Sequence, residues 1–290
     1  MIDAHHHIWR QADLPWLLGP ERPRIFGPYA AIKRDYTIEE YLDDIAGLGI
    51  TRSVYVQANW APNWFEDEVA WVQATAERTG WPHAIVGYAD MTVRDVRRQL
   101  DRLVRYPLMR GIRQQFHWHE DPRYRFAARP DLAEDPAVQA NIARLAEYGW
   151  SFDLQVFAPQ MAGAARLAEA CPDVTFVLQH AGMLEDTSAG GRAAWEAGMT
   201  RLAACPNVVT KLSAFGTFIH RNDPAVIAGR VADTLAIFGA ERCLFGSNFP
   251  IEKIWTGYGP MLAAFRKGVG KAERDAVFAT TAARVYRLQG

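Results

Sequence analysis

Apolar positions along this chain follow two periods that take turns. Eight short runs rich in β-branched and aromatic residues, at 2–8, 53–57, 83–90, 109–116, 151–157, 174–180, 208–213 and 243–248, have the length and composition of strands. Most are separated by stretches of helical period. In one of these Val93, Val96, Leu100 and Leu103 form a stripe, and Arg94, Arg97, Arg98, Arg102 and Arg105 form its wet face. Helix starts are marked by Thr37 with Glu40 and by Asn63 with Glu66, at capping-box spacing, and by Asp135-Pro136 and Asp223-Pro224, an acid before a first-turn proline. Gly49, Gly80 and Gly149 stand where left-handed C-caps belong. Eight strand–helix units with no internal boundary predict one α/β domain over 1–290, a (β/α)8 TIM-type barrel. An open doubly wound sheet is the alternative, but the place of its Gly-rich phosphate loop is taken by histidines. Two connections, 10–35 and 117–135, exceed ordinary loop length and are expected to act as lids or substrate walls.

Composition narrows the partners. With 32 basic and 33 acidic side chains in 290 residues, the net charge of −1 offers no electrostatic case for nucleic acid or an anionic membrane surface. Cys171, Cys205 and Cys243 are odd in number and far apart, which argues against a disulfide framework. Neither a signal peptide nor an 18-residue apolar stretch is visible. The expectation is a soluble, cytoplasmic protein acting on a small molecule, with a homodimer as the open question of assembly.

Chemistry gathers at the strand ends, where barrels of this kind carry their sites. In Ile2-Asp3-Ala4-His5-His6-His7-Ile8, alternation turns His5 and His7 to one face and His6 to the other. Three histidines flanked by apolar residues do not resemble a purification tag. Strand four ends in Arg113, Gln114 and Gln115, strand five supplies Asp153 and Gln155, and strand six closes on His180 before Gly182. Lys211, inside an apolar strand, must either snorkel out or serve a buried anion. His117 and Trp118, beyond strand four, are substrate-contact candidates, as are Gln155, Arg113 and Lys211. Trp16, Trp60 and Trp255 fall in loops and either stack on a ring or seal loop to barrel.

Ile2-Asp3-Ala4-His5-His6-His7, Arg110-Gly111-Ile112-Arg113, Phe152-Asp153-Leu154-Gln155, Gln179-His180-Ala181-Gly182, Lys211-Leu212-Ser213 and Phe245-Gly246-Ser247-Asn248-Phe249-Pro250 together resemble the amidohydrolase-related family, most closely its sugar lactonase and pyrone dicarboxylate lactonase branch. The resemblance spans residue 2 to about residue 250. It implies a hydrolase opening a sugar-acid or dicarboxylic lactone, with His5, His7 and His180 holding one zinc-type divalent ion or binding the carbonyl oxygen without metal. A metal-dependent decarboxylase of an aromatic or muconate-type acid is the alternative reaction. The family's eighth-strand motif reads Gly-Ser-Asp, with the aspartate as general base; this chain has Asn248, whose amide cannot take a proton. Three readings stay open: Glu252 supplies the base, metal-bound water needs none, or the protein binds without catalysis.

Overall fold

In the computed structural model, which describes residues 1–288, all eight expected strands form. They are β1 (Ile2–His6), β2 (Arg52–Val56), β3 (Ala84–Gly87), β4 (Met109–Gln115), β5 (Ser151–Gln155), β6 (Phe176–Leu178), β7 (Val208–Leu212) and β8 (Cys243–Phe245). Each pairs in parallel with the next in sequence order. The ring is drawn together by two backbone bonds, Asn248 N to His5 O at 2.7 Å and His7 N to Phe249 O at 2.8 Å. These are the eight strands of a barrel with helices outside.

Two apolar layers result. Ile2, Ala4, Val54, Val56, Val86, Val177, Val209 and Leu244 pack inside the barrel, and Tyr286 from the C-terminal segment seals them. A larger cluster joins the outer strand faces to the helices. Ala4 and His5 are adjacent yet both belong to the barrel interior, which simple alternation forbids. The register between β1 and β2 shifts between Asp3 and His6, so one extra residue is accommodated there as a bulge. The bulge resets the phase: Ile2 and Ala4 seal the bottom, while His5 and His7 reach the top.

Asp135 caps the helix Pro136–Ala143 through Ala137 N and Val138 N, and Asp223 caps Pro224–Phe238 through Ala225 N and Val226 N, as expected. Gly80 and Gly149 are left-handed C-caps. Thr37 is the N-cap of Ile38–Ile45 without bonding it through its side chain, and that helix ends at Ala46, three residues before Gly49. Asn63 is no cap. Phe65–Thr79 starts after Trp64, and Glu66 turns outward to pair with Arg102 and Arg105. The long loops hold only short helical turns (Gln11–Asp13, Pro15–Leu18, Ala30–Ile32 and Leu132–Glu134) and both fold over the C-terminal ends of the strands. No helix among the described residues is long and apolar enough to cross a membrane.

Candidate active site

At the C-terminal ends of the strands opens a pocket of about 850 Å³, counted out to solvent. His7, His180, Asn248, Arg113, Gln155 and His117 all line it. His5 lies just beneath, fully buried, with its ring centroid 4.8 Å from that of His180. Its place depends on Gly246 of the β8 motif: a Cβ there would stand 2.6 Å from the Cβ of His5.

The imidazoles are oriented from behind. His7 Nδ1 lies 2.7 Å from Val56 O, so it carries the hydrogen and leaves the Nε2 lone pair free. His180 Nδ1 lies 2.8 Å from Ser213 Oγ. Burial holds His5, His7 and His180 well below the usual imidazole pKa, helped by the positive charges of Lys211 at His5, Arg113 at His7 and both at His180. All three are neutral near pH 7 and present lone pairs. His117, packed between Phe126 and Phe157, is depressed to about 3 by burial and then by Arg113.

His5 Nε2 and His7 Nε2 are 3.3 Å apart. Two nitrogens bound about 2.0–2.1 Å from one ion at a tetrahedral angle have nearly this separation, so the pair fits a zinc-type ion. His180 supplies a third imidazole beside them. Among the described residues, however, no three His, Cys, Asp or Glu side chains are already gathered at ligating distance.

The backbone around the pocket is strained. His180, Ala181, Gly182 and Met183 have φ of 56°, 46°, 70° and 48°, four consecutive left-handed residues, and Asn59, Ala214 and Asn248 share that conformation after β2, β7 and β8. Such strain concentrates at functional sites because the surrounding fold must overdetermine it. At Gly182, where φ is 70°, a Cβ would lie 2.2 Å from Met161 Cε and displace that side chain, so glycine suits the turn that delivers His180.

Besides His5, three of the expected residues stand outside the lining. Lys211 is fully buried below it, donating to Asp153 Oδ2 at 2.6 Å. The same carboxylate oxygen accepts from Gln179 Nε2 at 2.9 Å. Glu252 is turned behind the wall: its Oε1 accepts from Thr217 N at 3.1 Å and from Thr217 Oγ1 at 2.8 Å, at the start of the helix Phe215–Ile219. Burial raises its pKa to about 7. Thr217, not Glu252, reaches the pocket. Trp118 supports the guanidinium of Arg125, which lies 5.0 Å above its ring. Of the loop tryptophans, Trp16 lines the pocket, whereas Trp60 packs on Trp71 and Trp255 stacks on His220.

Arg24, Arg123 and Arg125 reach the lining from the two long loops, a role not assigned from sequence. Nothing in a loop arginine's neighbours along the chain separates it from a solvated one. Ser213 was visible at the end of its strand, but its bond to His180 needs the barrel to close.

The amidohydrolase family model matches residues 2–288. An uncharacterised protein of Sinorhizobium fredii, y4mH, is 35% identical over 99% of this chain and 98% of its own length. An L-fucono-1,5-lactonase of Burkholderia ambifaria is 29% identical over 99% of this chain and 95% of its own. A crystal structure of an amidohydrolase from Burkholderia multivorans with bound zinc superposes with a TM-score of 0.82 at 26% identity, covering 99% of both chains.

Proposed function

The chain belongs to the amidohydrolase family, and on that premise we propose that it is a lactone hydrolase. The observation that carries the reading is the convergence of three neutral imidazoles, His5, His7 and His180, in and directly beneath one pocket at the strand ends. The similarity to an L-fucono-1,5-lactonase along nearly the whole of both chains supports it.

His5, His7 and His180 would hold a zinc-type ion, which when bound polarises an ester carbonyl and lowers the pKa of water toward about 7. Arg113 and Gln155 face the same space and donate hydrogen bonds to substrate oxygens. Asn248 shares the lining with His7 and His180, and its amide orients the attacking water without accepting a proton. Water adds to the lactone carbonyl carbon, the ring C–O bond breaks, one proton of the water passes to the leaving oxygen and the other to solvent, and the products are a carboxylate and a free hydroxyl. Trp16 and Phe26 from the first long loop, with Trp9 just before it, close the pocket and keep bulk water from the reacting face.

The test is a pH-indicator screen of five- and six-membered sugar-acid lactones, run on metal-stripped protein and on protein reloaded with zinc. We expect ring opening by the wild type and a loss of at least ~100-fold in kcat/KM for His180→Asn, with the thermal midpoint retained. A folded, zinc-loaded wild type that opens none of these lactones rules the reading out.

A further inference from the structure

A second depression, of about 860 Å³ counted out to solvent, lies at the opposite end of the barrel from the imidazoles. Its basic residues stand where strands begin: Arg52 opens β2, His83 comes just before β3, and Arg110 follows the first residue of β4. Arg287 joins them from the C-terminal segment. No residue of this cleft lines the pocket that holds His7 and His180.

Elsewhere on the surface this protein pairs its arginines with carboxylates, as in Arg97 with Glu147, Arg102 with Glu66 and Arg192 with Asp233. Here three guanidiniums and an imidazole share a lining with one carboxylate, Glu77, which already accepts from Gln73 Nε2 at 3.0 Å. Among the described residues none of Arg52, Arg110 and Arg287 has a carboxylate partner. Arg110 gives one Nη to the carbonyls of Pro107 (2.7 Å) and Met109 (2.8 Å), and its Nε is buried without a partner. Arg287 gives one Nη to Gly149 O, which leaves the rest of its fork unused. His83 Nδ1 accepts from Ser53 N at 3.3 Å, so the ring hydrogen sits on Nε2 as one more donor. The cations also oppose one another: after burial, Arg287 lowers the Arg110 pKa and Arg52 lowers that of His83. Unpaired donors of one sign in a concave site are relieved by an anion that accepts from several at once.

We propose that this cleft is a second ligand site, separate from the reacting pocket, and that it binds a phosphomonoester. A carboxylate presents two oxygens and one charge, which a single guanidinium fork satisfies. A phosphomonoester presents three acceptor oxygens and close to two charges at neutral pH, matched to donors that arrive from three separate strands and the C-terminal segment. The remaining wall is apolar, formed by Ala76, Pro82, Leu108 and Leu288, and takes the organic part of the ester. The site does not depend on the lactonase reading, because it shares no side chain with that chemistry.

Isothermal titration in phosphate-free buffer tests it, with phenyl phosphate, inorganic phosphate and benzoate as probes. The wild type is expected to bind phenyl phosphate about tenfold or more tightly than benzoate and more tightly than inorganic phosphate, with an affinity that falls as salt rises. Arg52→Gln together with Arg110→Gln is expected to weaken phenyl phosphate by about tenfold or more. Arg287→Gln, a change at an exposed side chain, is expected to weaken it in the same direction and keeps the test valid if the double variant does not fold. Arg123→Gln with Arg125→Gln removes two cations from the other pocket and is expected to leave the affinity unchanged. Three results overturn the proposal: no binding of phenyl phosphate, benzoate or inorganic phosphate bound equally well, or an affinity lost with Arg123 and Arg125 but kept without Arg52, Arg110 or Arg287.

Discussion

Asn248 concentrates the chemistry of this site in one side chain. Its φ of 56° is a left-handed conformation that asparagine and aspartate tolerate better than most residues, so Asn248→Asp introduces a carboxylate without new backbone strain. The side chain stands beside His7 and His180 in a lining that has no carboxylate. An aspartate there adds a proton acceptor beside the attacking water and favours the charged form of His7. The variant is expected to raise kcat at pH 7.5 by about tenfold and to give the profile an acid limb where the new carboxylate becomes protonated. A kcat–pH series on any lactone the wild type opens measures it. An unchanged kcat at every pH would mean that the amide itself is what the reaction needs. Glu252 is a poor substitute as base, because its Oε1 already accepts two hydrogen bonds from Thr217 behind the wall.

At the scale of elements, the seam between β8 and β1 determines where the histidines stand. Gly246 is required there by close approach: an added Cβ meets His5 at its Cβ (2.6 Å), its N (3.2 Å) and its Cα (3.4 Å). Two of those three atoms are backbone, so the clash cannot be relieved by a rotamer change. Gly246→Ala is expected to cost about 1–3 kcal/mol in urea unfolding and to lower kcat/KM more than tenfold by moving His5. If stability falls while activity holds, the seam matters for packing alone. The seam also marks the limit of what the sequence discloses. Strand positions and two of the acidic caps are local properties, and they were readable from residue types and spacing. The β1 bulge is not local: alternation counted from Ile2 and Ala4 would turn His6 inward, and only pairing with β2 resets the phase. Likewise the sequence left Lys211 either to snorkel out or to serve a buried anion, and its partner Asp153, 58 residues earlier, needed the closed barrel to be identified.

Across the whole molecule, the barrel interior is stacked in three layers of different character. Apolar side chains and Tyr286 form the bottom, the Lys211–Asp153 pair and Gln179 the middle, and the imidazoles with Arg113 the top. The middle layer is fully buried: burial lowers the Lys211 pKa, Asp153 opposes that, and Tyr286 OH stands 3.3 Å from the same carboxylate. Removing one member of such a pair leaves a charge with no solvent and no counterion, whereas replacing both removes the penalty along with the attraction. Lys211→Met is therefore expected to destabilise the fold by about 3–5 kcal/mol, and Lys211→Met with Asp153→Leu to recover most of that loss, as measured by urea denaturation at pH 7.5. Lys211 was a candidate for substrate binding on sequence grounds, and the same variants discriminate between the two roles. A lysine that reaches substrate gives a Lys211→Met protein with unchanged unfolding midpoint and a raised KM, and the double variant would not rescue it. A lysine that holds the barrel together loses activity only in step with the folded fraction. The depth of the pair, one layer below the pocket lining, favours the second outcome.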